Sequence, residues 1–99
     1  DNTMASSTET IKNIVVPAGI PVIAGEEGIC RGCGVATLSI SYEDLGRATG
    51  EMAYEILVEG ADISTMDVRF APNVTKKYNA SICAELGITA PEGYEAIAE

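Results

Sequence analysis

The sequence predicts an α/β domain in which parallel strands are flanked by helices. Three observations point there. Apolar runs of strand length alternate with helical patterns in the order helix, strand, strand, helix, strand, strand, helix. The run Pro21-Val22-Ile23-Ala24 is short, apolar and bounded by turn residues, the pattern of a central parallel strand. Hydrophobic residues make up 46% and aromatics only 5%, which describes an aliphatic core rather than a disordered tail.

Residues 3–16 read as the first helix. Asn2 or Thr3 caps it, and Met4, Ala5, Ile11, Ile14 and Val15 form its apolar stripe. Pro17 and Gly19 stop it. The strand at 21–24 ends abruptly in Gly25-Glu26-Glu27-Gly28. Residues 25–34 are a glycine-rich connection with room for one helical turn at 29–31. Residues 35–40 are the next strand, where Thr37 and Ser39 alternate with Ala36, Leu38 and Ile40 and make one face half polar.

Ser41-Tyr42-Glu43-Asp44 resembles a capping box and opens the clearest helix. Leu45, Ala48, Met52, Ile56 and Leu57 lie on one face, and Gly60 ends it. Gly46 and Gly50 each cost roughly 1 kcal/mol against alanine, so they predict a close backbone approach. Residues 67–70 read as an edge strand stopped by Pro72, and 75–78 as another short strand. Asn79 caps a helix that runs to Leu86 and stops at Gly87. Residues 88–99 are a tail with Pro91 and Gly93.

Ninety-nine residues allow one small domain at most. The net charge of −9 repels a phosphate backbone and an anionic membrane surface alike, so nucleic acid is not an expected partner. The acidity is diffuse and reads first as solubility. No stretch reaches the roughly 18 apolar residues of a membrane span. No leader pattern is visible, and because the chain opens on a loop we expect a preceding strand and a larger parent protein. That absence therefore bears nothing on location.

There is no histidine, which removes the commonest general base and a common metal ligand. No nucleophile–base set is visible, so no enzymatic turnover is expected, and neither metal nor cofactor. Cys30-Arg31-Gly32-Cys33 has C-x-x-C spacing, with Arg31 placed to lower a thiol pKa; a redox pair and incidental thiols both remain open. Cys83 completes no zinc site.

Two loops carry the candidate ligand-binding residues. Asp1, Asn2 and Thr3 offer polar groups at a helix start, where plain capping is the alternative. Glu26 and Glu27 stand at a strand exit, where a carboxylate pairs with a cationic group such as an α-amine, or simply forms a solvated turn. Together the loops would suit a zwitterion. Lys76-Lys77-Tyr78 reads as a solvated strand face.

In order, Asp-Asn-Thr-Met-Ala-Ser, then Ile-Pro-Val-Ile-Ala-Gly-Glu-Glu-Gly, then the segment from Gly34 through Tyr42 to Ala53, resemble the C-terminal third of the ABC-transporter substrate-binding lipoproteins linked to tryptophan, tyrosine and phenylalanine uptake. The Ile-Leu-x-x-Gly ending at Gly60 and the Leu-Gly-Ile ending at Ile88 also fit. The resemblance implies two lobes of the type I periplasmic-binding class, joined by three crossings, with ligand between them. It implies residues 1–28 in the C-terminal lobe, a crossing near 28–34, residues 35–70 in the N-terminal lobe, and 75–99 as a returning segment and tail. The family commonly has Ser-Asp-Glu-Gly where this chain has Gly25-Glu26-Glu27-Gly28, so Glu26 lengthens the arm by one methylene. It lacks a regular C-x-x-C here.

The expected function is the solute-binding component of an ABC importer, extracytoplasmic as a cell-surface lipoprotein or in the periplasm. It would deliver a small zwitterion, an aromatic amino acid, to a membrane permease. A ligand-sensing domain of a transcription regulator, a thiol redox protein using Cys30 and Cys33, and a structural α/β fragment with no site of its own are the rivals. A third of such a fold leaves strands without neighbours, so the isolated chain is expected to self-associate.

Overall fold

The computed structural model describes residues 1–98, which divide into two units: residues 1–39 with 75–98, and residues 40–74. The tail expected at 88–99 is described except for its last residue.

The first unit opens on two helices, α1 (Asn2–Ala5) and α2 (Thr8–Val15), where one was expected. The break falls at Ser6-Ser7. The Ser6 hydroxyl donates to the Thr3 carbonyl at 3.0 Å, and Ser7 takes φ −128°, ψ 22°, outside the helical region. Serine side chains compete for backbone groups in this way, which is why they interrupt helices. Ile11, Val15 and Val16 are half-buried, whereas Met4, Ala5 and Ile14 face out, so the apolar stripe is narrower than the sequence implied.

Strand β1 is only Ile23–Ala24, followed by helix α3 (Glu27–Cys33) and strand β2 (Ala36–Ile40). β1 and β2 pair in parallel, Ile23 with Ala36 and Ala24 with Thr37. The expected single turn at 29–31 is therefore a full connecting helix. The segment 28–34, expected as a crossing between lobes, joins two strands of one sheet. Strand β3 (Val74–Tyr78), helix α5 (Ala80–Leu86) and strand β4 (Glu95–Ala96) complete the unit, with β3 and β4 parallel.

The sheet order is β1-β2-β3-β4. β1 is thus an edge, not the central strand its composition predicted, and Ile23 is 74% exposed. The Asn79 N–H donates to the Val35 carbonyl, and the Ser39 and Thr75 hydroxyls lie 3.4 Å apart at the other end. These contacts run β3 against β2, so the sheet is mostly, not wholly, parallel. On β2 the polar side of the alternation is the inner one: Thr37 and Ser39 are buried while Leu38 faces out.

Two clusters form the core. Ala24, Cys30 and Ile97 pack with Ile29; Val35, Ile82 and Cys83 pack with Val16, Tyr78, Leu86 and Ile88. Asn79 binds α3 to α5. Its side-chain amide donates to the Cys30 and Arg31 carbonyls at 3.2 and 2.9 Å, and its oxygen accepts the Ile82 N–H at 3.1 Å. Gly87 closes α5 at φ 68°, the left-handed conformation that glycine adopts without a Cβ clash.

The second unit is built on helix α4 (Tyr42–Leu57). The Ser41 hydroxyl accepts the Asp44 N–H at 3.2 Å, as the capping pattern predicts. Leu45, Ala48, Met52 and Ile56 are half-buried, but Leu57 is 82% exposed and leaves the stripe. No described atom lies within 4 Å of a Cβ built on Gly46 or Gly50, so the close approach expected there is not found among the described residues. Residues 67–70 form no strand. Phe70 is 84% exposed, and a 2.6 Å ion pair from Arg69 to Glu55 ties the segment to α4.

Candidate functional site

β1 and β2 are parallel, so their carboxyl ends leave the sheet at one edge. Crevices outside such ends are where α/β sheets take ligands. Glu26 stands there, between β1 and α3. It caps α3 with its side chain: Oε2 accepts the Gly28 N–H at 2.8 Å and Oε1 accepts the Ile29 N–H. These are two of the N–H groups that a helix start leaves without intrahelical partners. The negative carboxylate also complements the helix dipole.

Glu27 is the first residue of α3 and accepts from the Arg31 guanidinium at 3.1 Å, one turn on. Its carboxylate is thus engaged along the helix flank. Asp1 caps α1, its Oδ1 accepting the Met4 N–H at 2.9 Å. Asn2 and Thr3 are exposed in the first turn of α1. Helices α1 and α3 touch, so both predicted loops belong to the same unit. The sequence offered Glu26 as a candidate ligand-binding residue but not as a cap. Glutamate is outside the usual N-cap set, and only the folded-back arm reveals the role.

The three thiols read differently. Cys30, Cys33 and Cys83 are free and buried. The Cys30 thiol is pushed up to about 11 by burial, then by the nearby Cys83, with smaller contributions from Cys33 and Glu27, against an opposing backbone bond from Asn79. Burial also raises Cys33 and Cys83. Reactive thiols need the opposite, an electropositive and accessible setting near a helix N-terminus. Here the pair occupies the last turns of α3, and Arg31 is engaged by Glu27. The redox alternative is not favoured, and no metal-holding group of histidine, cysteine or acidic residues occurs among the described residues.

Two further hollows are present. In the first unit, Lys12, Arg31, Asn79 and Ser81 line a cavity of about 150 Å³ with Ile82 and Ile97. It lies at the carboxyl end of β3, the edge opposite Glu26. In the second unit, α4 and residues 69–73 line a groove of about 480 Å³ with Asp44, Glu51 and Phe70.

This arrangement has known counterparts. Residues 1–99 match the family of ABC transporter substrate binding proteins, and the chain belongs to it. A tyrosine-binding protein of Clostridioides difficile (strain R20291) is 37% identical over 68 residues, which are 69% of this chain and 19% of the relative. A substrate binding protein with adhesive properties from Clostridium difficile, in its ligand-free, open form, superposes with a TM-score of 0.78 at 35% identity, over 99% of this chain and 34% of the other. A conserved domain protein from Vibrio cholerae gives 0.75 at 30% identity, over 93% and 31%. An ABC domain from Streptococcus pneumonia, in complex with L-Trp, shares the fold at a TM-score of 0.69 and 24% identity, over 97% and 42%. The chain thus spans about a third of the first two of these structures and less of the curated relative.

Proposed function

We propose that this chain is part of the extracytoplasmic solute-binding component of an ABC importer. It captures a small zwitterion, an aromatic amino acid, and presents it to a membrane permease. The observation that carries this reading is the family match along the whole chain. The tyrosine-binding relative supports the ligand class. No chemical step is assigned: the thiols are buried and protonated, and capture needs only complementary polar groups.

Within this reading, Glu26 pairs with the ligand's amine through the oxygen lone pairs left over from capping. A carboxylate accepts at about four sites, so two N–H bonds leave capacity for an ammonium. Asp1, Asn2 and Thr3 meet the other polar groups of the ligand. Glu27 is the weaker contributor because Arg31 holds it.

A thermal-shift screen of the full-length protein against the amino acids tests the reading. A ligand binding only the folded state adds about 2.7 kcal/mol at 100-fold excess over Kd. A rise in melting temperature confined to aromatic amino acids is the expected outcome. No rise with any amino acid contradicts it.

A further inference from the structure

We infer that Gly32 is a positioning residue: its bare Cα seats Thr8, and this seat holds Asn2 and Thr3 at the separation from Glu26 that an α-amino acid needs. This rests on the ligand-binding reading proposed above for Glu26 and residues 1–3.

Gly32 lies in the body of α3, one turn before its end, and is half-buried. A Cβ built on it would stand 2.4 Å from both Thr8 Cβ and Thr8 Oγ1, and 2.9 Å from Thr8 Cγ2. Rotating the threonine cannot relieve this, because its own Cβ is among the overlapping atoms. Gly32 has no positive φ that would require glycine, and within a helix glycine is disfavoured by roughly 1 kcal/mol against alanine. The approach of Thr8 accounts for a residue that local propensity opposes.

Thr8 is the first residue of α2 and follows the break at Ser6-Ser7 directly. It is therefore the point of α2 nearest in sequence to α1 and to Asn2 and Thr3. Among the described residues no hydrogen bond or ion pair joins residues 1–16 to α3, although α1 and α2 both touch it. Packing alone sets the spacing, and the side chains at a helix contact fix how closely two helices approach. Glu26 caps the same helix α3. The Thr8–Gly32 seat thus links the two candidate loops. An α-amino acid carries its amine and carboxylate on one carbon, so Glu26 meets the amine only while Asn2 and Thr3 stay within reach of the carboxylate. A methyl on position 32 would push α2 outward and carry those donors off.

The test is calorimetric titration of the full-length protein with L-tyrosine and with tyramine, which keeps the amine and lacks the carboxylate. The variants are Gly32→Ala, Thr8→Gly, both together, and Asn2→Ala with Thr3→Ala. We expect Gly32→Ala to lower the preference for L-tyrosine over tyramine about tenfold, the scale of one charge-assisted bond. Thr8→Gly empties the seat from the other side and lowers it about threefold. In the double variant the alanine methyl fills the space that Thr8 vacates, and the preference returns toward that of the unaltered protein.

If Gly32→Ala weakens both ligands alike, or leaves both unchanged, the contact serves packing only and the inference is overturned. Should Gly32→Ala not fold, the double variant decides: a preference above that of Thr8→Gly supports the seat, and one no higher overturns it. If Asn2→Ala with Thr3→Ala keeps the full preference, the role of that loop in the proposed reading fails and the inference falls with it. Absence of L-tyrosine binding by the unaltered protein contradicts the tyrosine-type ligand class.

Discussion

Cys30 shows what burial does to a single thiol. It is fully enclosed between Ala24 and Ile97, and its thiol is pushed up from 9.0 to about 11. Below pH 9 the thiol is protonated in both folded and unfolded chains, and stability does not depend on it. From pH 9 to about 11 the unfolded chain releases the proton while the folded chain holds it, so stability falls as pH rises. The fall is on the order of 2 kcal/mol. Urea denaturation at pH 8 and pH 11 measures it, and Cys30→Ala should lessen the fall by about that amount. An equal fall in the variant contradicts the assignment. Thr37 is the opposite case: its buried hydroxyl has no hydrogen-bond partner among the described residues. Thr37→Val replaces that hydroxyl with a methyl and should raise stability by about 1 kcal/mol in thermal denaturation. A loss of that size would mean that the hydroxyl is satisfied in solution.

Helix α3 depends on what its neighbours lack. A Cβ on Gly32 would overlap the Thr8 side chain, so α2 rests against the glycine itself. Gly32→Ala should therefore cost about 1–3 kcal/mol by overpacking, more than alanine's helix preference returns. A chemical-denaturation midpoint at or above that of the unaltered protein contradicts this packing. The caps of α4 and α5 were legible in the sequence because a cap depends on a few consecutive residues: Ser41 with Asp44, Asn79 with Ile82, Gly87 at the exit. The break at Ser6-Ser7 was missed because the apolar spacing runs on through it. Strand pairing depends on distant residues. β4 is two residues held by Tyr78 and Lys77, and nothing local marks it. Residues 67–70 have strand composition but no strand. The inward turn of Thr37 and Ser39 reversed the usual alternation. Glu26 was legible as a polar strand exit. Its capping bonds were legible only from the fold.

At the scale of the whole chain, apolar residues remain open in both units: Ile23 on the β1 edge, and Leu57, Val68 and Phe70 in the second. Exposed apolar surface and an unpaired strand edge favour association. The isolated 99-residue chain should sediment as dimers or larger species at micromolar concentration, with bound hydrophobic dye. A dye-silent monomer contradicts that expectation. The α/β class and the order of the main elements were legible because periodicity survives without the partner segments. The family was legible because its motifs are local to the loops at 1–3 and 25–28 and to the start of α4. In the proposed reading, an amino acid's amine meets Glu26 at the carboxyl ends of β1 and β2. A crystal structure of the full-length protein with bound L-tyrosine tests it most directly. The expected result is the ligand nitrogen about 2.7–3.2 Å from a Glu26 carboxylate oxygen. A bound ligand whose amine meets other groups, with Glu26 bonded only to its own helix, contradicts it.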